Sequence, residues 1–462
     1  MPLMIRQIEA DESVSAHLAL DALGKIIPST ALAEVIAQHG VQEERDRKLP
    51  AIATLVLCIA MNLYAHEALP AVFRRLVAGL RWLWSDPSDL RVSKSAISQA
   101  RYRLGAPVLV SLFHRVCQPL ATPDTPGAFL FGLRLMAFDG TMVNLADTAA
   151  NVAAFGRRPA SRGTCAWPQA QLVALCESGT HAICDAGLWP YNHDEETGVR
   201  RLLRSVTSGM LVLSDMGLHS YDLLAATLGR GAQILNRVPS HLKPQVITTL
   251  ADGTQLVQLR PSDGKRRRRG EHIVVRLIRY TLDDPCRVGH RQEHRLVTSL
   301  LDPATAPAEE LILAYHTRWE IELTVDELVI HQRPVLPLRS KLPVGVVQEL
   351  YGLLIAHYLV RAVMVDAAAT VSLAPTRMSF LESLRLIREA MPDFQRAAPA
   401  QHALIYAALL TDIAATALPP RANRINPRVV KQKLSNFPVK RPVHRGWPQP
   451  IKPFRDTIQM LN

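Results

Sequence analysis

The chain has 462 residues, of which 48% are hydrophobic, so it can bury a sizeable core and wholesale disorder is excluded. The 53 Lys and Arg exceed the 41 Asp and Glu, and this net charge of +12 favours polyanionic partners such as nucleic acid, although a merely basic enzyme would show the same surplus. None of the six cysteines forms a CxxC pair, which argues against a zinc ribbon or disulfide framework and agrees with a reducing cytoplasm.

Residues 1–125 are predicted to form a helical N-terminal domain. Helical patterns begin at Ser29-Thr30 and close at Gly40, and a second amphipathic run covers Ala71 to Leu83. The apolar run Ala51 to Leu63 is shorter than the roughly 20 residues that span a bilayer, so we expect a buried helix and no membrane segment. No signal-peptide pattern precedes it.

The last helix of this region is predicted over residues 93–104, with Ser93 as its capping residue. It presents Ser98, Gln99 and Arg101 among small residues. Arg and Gln read base edges and Ser contacts phosphates, so this helix is a candidate for a DNA groove. A solvated helix face would show the same pattern.

Beyond the linker at Pro123 to Gly127 the pattern changes to strands. Leu133 to Phe138 is predicted as a strand ending at Asp139, with Met142 to Leu145 as its return strand. The elements expected next are strands over 171–176 and 182–186, a helix over 195–206, a strand over 210–215, a helix over 221–228 and a strand over 233–238. Antiparallel strands followed by alternating helix and strand predict an α/β layered domain.

Residues 240–292 interrupt this alternation and are predicted to be an inserted β subdomain. Strands over 254–260 and 273–282 flank five consecutive cations, which predicts a β-hairpin with a basic tip. Such a tip is expected to contact DNA phosphates, with a solvated loop as the alternative. The candidates in this part of the chain are Arg237, Lys265, Arg266, Arg267, Arg268 and Arg269.

The C-terminal part is predicted to be helical. A strand over 294–301 precedes a long helix from Glu309 to about Leu328, and helical segments continue to about Leu418. The tail from Arg421 to Asn462 carries ten Lys and Arg against one acid and is rich in proline, so it is predicted to be an extended, phosphate-neutralising segment.

Three acidic residues are candidates for metal chemistry. Asp139 and Asp215 each follow an apolar strand, where a carboxylate is held on a rigid scaffold and still reaches solvent. Tyr315, Arg318 and Glu322 are spaced by three and four, which places them on one face of a helix. A carboxylate for a metal, a guanidinium for phosphate and a phenol as hydrogen-bond donor suit phosphodiester cleavage, although an ion-paired helix would have the same spacing.

Together these motifs resemble the DDE transposases of the insertion-sequence-four (IS4-type) family over most of the chain. The signature Y-x2-R-x3-E is present as Tyr315, Arg318 and Glu322. Further matching blocks are Asp139-Gly140-Thr141 with Asn151, Phe155-Gly156, Arg162-Gly163 and Pro168-Gln169; Leu213 to Gly217 with Ser220-Tyr221; Ala96 to Arg101; and Asn426-Pro427-Arg428.

The resemblance implies an RNase H-like core in which Asp139, Asp215 and Glu322 bind two Mg²⁺ or Mn²⁺ ions for cut-and-paste transposition. It implies double-stranded DNA as partner, both the inverted repeats and the target, a homodimer in the synaptic complex, and a bacterial, nucleoid-associated location in the cytoplasm. The expected division is 1–125 for DNA-end binding, 126–239 and 293–335 for the core, 240–292 for the insertion, 336–420 for C-terminal helices and 421–462 for the basic tail.

One position departs from the family pattern. The signature usually closes with a Lys seven residues after the Glu, and this chain has Val329 there, with His331 and Arg333 nearby. Two alternatives therefore stay open: a nuclease of the same fold that cleaves without joining, and a catalytically impaired, transposase-derived DNA-binding protein. A hairpin intermediate also stays open, because the insertion has no Trp of the kind that holds a flipped base in some relatives.

Overall fold

The structure, a computed structural model, describes residues 26–42, 49–77, 92–160, 163–287, 289–333, 337–419 and 439–461. The predicted helix over 71–83 therefore lies partly outside the described residues, and so does the first half of the basic tail. The described chain divides into two compact units. Unit 1 comes from Met1–Phe129, Leu135–Ser205 and Trp319–Leu418, and unit 2 from Leu130–Arg134, Val206–Arg318 and Pro419–Asn462.

The α-helices of the described residues are α1 Ser29–Gln38, α2 Ala51–Leu63, α3 Leu69–Leu76, α4 Lys94–Leu104, α5 Pro107–Val116, α6 Ala149–Phe155, α7 Glu195–Leu202, α8 Tyr221–Gly229, α9 Gly264–Arg268, α10 Ala308–His316, α11 Trp319–Asp326, α12 Pro343–Thr370, α13 Phe380–Arg396 and α14 His402–Ala415. Their order confirms the predicted helical N-terminal region and C-terminal helices. Ser93 caps α4 as expected, since its hydroxyl accepts the Ala96 amide at 3.1 Å.

The strands of the described residues are β1 Phe129–Leu130, β2 Leu133–Asn144, β3 Pro159–Ala160, β4 Gly163–Thr164, β5 Gln169–Glu177, β6 Ala182–Pro190, β7 Met210–Ser214, β8 Gln233–Arg237, β9 Gln245–Thr249, β10 Gln255–Leu259, β11 Ile273–Leu282, β12 His294–Thr298 and β13 Ile458–Met460. Helices thus precede, interrupt and follow the strands. The predicted α/β class is confirmed.

Unit 1 is built around α12, a helix of 28 residues that is apolar on all sides. Its length and composition would allow it to cross a membrane, yet 83% of its most apolar stretch is buried inside the protein. A buried helix that is apolar on all sides is typical of the core of a globular unit. It packs against α2, which is itself almost entirely buried, as the sequence predicts.

The contact between α2 and α12 depends on Gly352. A Cβ atom there would lie 2.2 Å from the Cys58 carbonyl oxygen, so only glycine lets the two helices approach this closely. Beside it, the Asn62 side chain donates to the carbonyls of Cys58 and Glu349, at 2.9 and 3.2 Å. The side-chain amide thereby ties the two backbones together.

Gly352→Ala is expected to lower the free energy of unfolding by about 3 kcal/mol, the upper part of the range for overpacking, because the obstacle is backbone. Chemical denaturation of the purified variant measures this. The matched control is Gly229→Ala at the end of α8, where nothing lies within 4 Å of the added methyl group. Equal losses for the two variants would contradict the close-approach explanation.

The strands of unit 1 form an antiparallel run in the order β6–β5–β2. Strand β2 continues from Leu133 to Asn144, and Asp139 pairs with Ala174 in its middle. The prediction of a strand ending at Asp139 with a separate return strand was therefore wrong. Pairing with β5 continues without interruption past Asp139, so the chain does not turn there.

Unit 2 contains a mixed run of strands in the order β7–β8–β12–β11–β10–β9, in which only β7 and β8 are parallel. The strands of segment 240–292 extend this run through β12. Its core is aliphatic and consists of Leu224, Ile234, Val238, Val257, Leu259, Val275, Leu277 and Val297. The predicted β-hairpin is confirmed, since β10 and β11 pair antiparallel. Its basic tip forms the short helix α9, which Asp263 caps.

The predicted long helix from Glu309 to Leu328 is broken at Thr317 and Arg318. In a continuous helix the Arg318 amide would donate to Ala314, but the Thr317 hydroxyl and amide both donate to that carbonyl, at 2.7 and 3.1 Å. The Arg318 amide turns to Tyr315 instead. Helix α10 therefore ends at His316, and α11 begins at Trp319 and runs into a π-helical turn over Glu327–His331.

The predicted extended tail is present only in part within residues 439–461. This segment contains two 3₁₀ turns and ends in β13, which pairs with β11 in unit 2. Backbone pairing with a sheet edge gives the tail an ordered structure that its composition does not reveal.

Candidate active site and DNA-contacting residues

Asp215 lies at the carboxyl end of β7, where the sequence predicts it. It is exposed and caps the 3₁₀ turn Met216–Leu218, with its Oδ1 accepting the Gly217 amide at 2.9 Å. The neighbouring parallel strand β8 ends beside it, since Ser214 pairs with Asn236. Carboxyl ends of adjacent parallel strands are where functional side chains gather in α/β sheets.

Within unit 2, the charged groups of Asp215, Arg318 and Arg237 lie close enough to Tyr315 to shift the pKa of its phenol. Burial raises the pKa of the Tyr315 phenol and Asp215 adds to the rise, while Arg318 and Arg237 oppose it. The Arg318 guanidinium lies 5.9 Å from the centroid of the Tyr315 ring. The phenol is therefore protonated at neutral pH and can donate a hydrogen bond.

A second aromatic pair supports this group. The rings of Tyr280 on β11 and His294 on β12 stack with centroids 5.1 Å apart. Burial lowers the pKa of His294, so its neutral Nδ1 can accept from Arg237 at 3.4 Å. Arg237 is exposed, and this contact orients it at the end of β8.

Glu195 is an acidic residue beside strand β2 of unit 1 that the sequence analysis missed. A Cβ at Gly140 would lie 2.5 Å from Oε1 of Glu195. Because successive side chains of a strand point to opposite faces, the Glu195 carboxylate lies on the Gly140 face of β2, opposite to the Asp139 side chain. Glu195 is the first residue of α7, directly after the capping Asp194. The signal in the sequence is the glycine that follows Asp139, since a side chain there would displace Glu195.

Glu322 lies half-buried on α11, and a buried ionic network anchors that helix in unit 1. The His181 ring contacts Glu320 at 3.0 Å and Glu327 at 3.1 Å, and Glu327 also pairs with Arg361 at 2.9 Å and His357 at 3.2 Å. Burial alone would raise the pKa of Glu327, but Arg361 and His181 outweigh it and hold the pKa well below its usual range. The network holds the chain on both sides of Glu322, through Glu320 on α11 and Glu327 in the π-helical turn that follows it.

Val329, at the usual Lys position, lies in the π-helical turn. Of its two cationic neighbours, Arg333 is buried and turned towards the Pro337 carbonyl at 3.1 Å and Glu349 at 3.9 Å. His331 is exposed. Of the two residues that the sequence offers as a substitute cation, only His331 therefore faces solvent.

The predicted metal ligands have the right chemistry, since carboxylate oxygens are the ligands that Mg²⁺ and Mn²⁺ prefer. Asp139 and Glu322 belong to unit 1, and Asp215 belongs to unit 2. Within the described ranges, no three His, Cys, Asp or Glu side chains are arranged as a metal site. The acidic triad of Asp139, Asp215 and Glu322 stays a prediction.

The DNA-binding candidates of α4 differ in their surroundings. Ser98 and Gln99 are exposed, with the Ser98 hydroxyl donating to the Lys94 carbonyl. The Arg101 guanidinium instead donates to the Ser340 hydroxyl at 3.0 Å and the Gly345 carbonyl at 2.9 Å. Arg101 holds α4 within unit 1, and we remove it from the DNA-binding candidates.

The five cations around α9 are not equivalent. Arg266 is half-buried and pairs with Asp222 at 2.5 Å and with Glu271 at 2.7 Å, and its guanidinium lies over the Tyr221 ring. The exposed members are Lys265, Arg267, Arg268 and Arg269. The exposed four are the candidates for phosphate contact.

Comparison with known proteins identifies the class. Residues 130–359 match the model of the transposase DDE domain, and residues 17–114 match that of the insertion element 4 transposase N-terminal domain. Both matches contain the elements described above, with Asp139, Asp215 and Glu322 inside the first of them. The chain is thus a DDE transposase by domain content.

The particular family follows from a relative of similar length. The chain is 31% identical over 433 residues to transposase InsG for insertion sequence element IS4 of Escherichia coli (strain K12), covering 91% of this chain and 94% of that protein. The chain belongs to the IS4 family of DDE transposases. It is also 28% identical over 141 residues to the putative transposase InsZ of the same organism, covering 30% of this chain and 47% of InsZ.

Among solved structures, the cryo-EM structure of the piggyBac transposase synaptic complex with hairpin DNA is similar over 88% of this chain and 87% of that chain. The TM-score is 0.41 and the sequence identity is 13%.

Proposed function

We propose that this chain is an active cut-and-paste transposase, which cleaves DNA at the ends of its insertion sequence and joins the freed 3′ ends to target DNA. The observation that carries the proposal is the group in unit 2 in which Asp215, Arg318 and Arg237 all lie close enough to Tyr315 to shift its pKa. A carboxylate, two guanidinium groups and a protonated phenol are suited to hold a metal-bound phosphodiester.

The residues divide the work by their chemistry. Arg318 and Arg237 bind oxygens of the scissile phosphate and offset the charge that develops on them. Tyr315 donates its phenolic proton to a phosphate oxygen, which its raised pKa permits over the physiological range. Stacking of Arg318 against the Tyr315 ring limits the movement of both groups.

Asp139, Asp215 and Glu322 are proposed to hold two Mg²⁺ or Mn²⁺ ions, which when bound supply the Lewis acidity for attack by water or a 3′-OH and for departure of the leaving oxygen. The ionic network around Glu327 holds the helix of Glu322.

DNA contacts are proposed to be divided among three regions. Residues 1–125 bind the inverted repeats through the exposed Ser98 and Gln99 of α4, and the exposed cations around α9 neutralise phosphates. The exposed Lys440, Arg441 and Arg445 of the basic tail add to this neutralisation, whereas Arg455 pairs with Glu309 and Glu310. Two copies of the chain pair the two element ends in a synaptic complex in the bacterial cytoplasm, at the nucleoid.

The purified protein is expected to cut a DNA fragment carrying both element ends and to join them to a target plasmid. Both steps should require Mg²⁺ or Mn²⁺ and stop when the metal is chelated, because the proposed site holds the phosphate through metal-bound carboxylates. Denaturing gels of end-labelled DNA measure cleavage, joining and any hairpin at the cut end.

The same assay separates the proposal from its two alternatives. Cleavage without joining to target DNA would identify a nuclease and contradict the transposase proposal. Specific binding without cleavage in either metal would identify an impaired, transposase-derived DNA-binding protein, for which Val329 would be the first residue to restore to Lys.

A further inference from the structure

The last described segment of the tail makes a continuous set of contacts with unit 2. We call residues 451–461 the C-terminal strap. Its strand β13 adds to β11, with Tyr280 opposite Met460, and the amide of Leu461 donates to the Arg279 carbonyl at 2.9 Å. At its other end the buried Asp284 accepts the amides of Ile451 and Lys452, at 2.9 and 3.3 Å. The strap is thus fixed at both ends.

Between these anchors the strap holds both ends of α10. Arg455 pairs with Glu309 at 2.8 Å and Glu310 at 2.9 Å, in the first turn of the helix. The Phe454 ring stacks on His316, the last residue of the helix, with centroids 3.7 Å apart and planes 11° from parallel. Helix α10 therefore cannot shift relative to the strap without breaking one of these contacts.

The stack of Phe454 on His316 joins two uncharged rings, and the Arg287 guanidinium lies over the Phe454 ring. Burial lowers the pKa of His316 to about 4, with Arg287 contributing, so the imidazole is neutral at physiological pH and packs as an aromatic ring. The Arg287 guanidinium lies 5.3 Å from the Phe454 centroid and donates to the Lys452 carbonyl at 2.9 Å. Arg287 and Phe454 together close the strap over the end of α10.

The held end of α10 carries the residues of the candidate site. Tyr315 precedes His316 directly, and Arg318 follows two residues later in the turn that ends the helix. Tyr280 lies on β11, the strand that pairs with β13, and close enough to Tyr315 for the latter to contribute to its raised pKa. We infer that Phe454 and Arg455 of the strap are positioning residues, which set Tyr315 and Arg318 beside Asp215; this inference rests on the proposed function.

Phe454→Ala is expected to reduce the single-turnover rate of DNA-end cleavage about tenfold, the effect of losing one aromatic stack, with unchanged affinity for the DNA end. Backbone amides over residues 311–318 should exchange with solvent about tenfold faster, as measured by hydrogen-exchange mass spectrometry, while those of β7 and β8 keep their rates. The matched control is Ile451→Ala in the same strap, because that side chain is 71% exposed.

A charge reversal tests the other contact. Arg455→Glu should reproduce the loss in cleavage rate and the faster exchange, and combining it with Glu309→Arg and Glu310→Arg should restore both. Unchanged exchange over residues 311–318 in the Phe454 and Arg455 variants would overturn the inference, and so would faster exchange throughout unit 2. If the wild-type protein fails to cleave, the proposed function fails, whereas the exchange measurements still decide the role of the strap.

Discussion

Asp139→Asn, Asp215→Asn and Glu322→Gln are each expected to slow DNA-end cleavage by about a thousandfold or more. Each change keeps the size of the side chain and removes the negative charge that offsets a divalent cation; a loss of about 4 kcal/mol of transition-state stabilisation corresponds to this factor. Single-turnover cleavage of end-labelled DNA measures the rate. Gel-shift titration should show DNA-end affinity within about threefold of wild type.

Two carboxylates outside the proposed site serve as controls for these variants. Asp302 in unit 2 is exposed and caps the turn at Ala304, and Glu389 in unit 1 pairs with Arg385 on the surface of α13. Asp302→Asn and Glu389→Gln should cleave at the wild-type rate. A tenth or more of the wild-type rate in any one of the three site variants would remove that residue from the triad.

Local signals in the sequence predicted much of the fold. The apolar run of α2, the capping Ser93 of α4 and the strand that leads to Asp215 are each specified within a dozen residues, and the structure has them. Strand β2 differs because it continues through the polar residues at Asp139. The hydrogen bonds that keep those residues extended come from β5, some 35 residues along the chain, and no local pattern reveals that partner.

The candidate site was predictable to the extent that its chemistry follows from spacing. Tyr315 and Arg318 were assigned from their positions, yet the helix that was expected to unite them with Glu322 ends at His316, because the Thr317 hydroxyl takes a helix carbonyl. Arg101 appeared suited to DNA, but its partners lie 239 and 244 residues further along the chain. Such long-range partners decide whether a cation faces solvent or the interior.

Replacing Lys265, Arg267, Arg268 and Arg269 with Ser is expected to weaken binding to all duplex DNA similarly, by up to about a thousandfold at 0.1 M salt. Each phosphate contact contributes about 0.9 to the slope of log affinity against log salt, so losing four should flatten the slope by about 3.6. These side chains are exposed on a five-residue helix and at its C-cap, a unit too short to give them a fixed register with base edges. Salt titrations with the cognate end and with unrelated DNA measure both quantities.

Arg266 provides the matched control within the same run. Because Asp222 and Glu271 already neutralise it, Arg266→Ser should leave the salt slope unchanged, whereas Arg268→Ser alone should flatten it by about 0.9. The variant with all four substitutions should still cleave pre-assembled complexes at low salt, since the proposed chemistry depends on Asp139, Asp215 and Glu322. A loss of affinity confined to the cognate end, with an unchanged salt slope, would mean that these residues read sequence or shape. If neither the affinity nor the slope changes, the basic run is only a solvated surface.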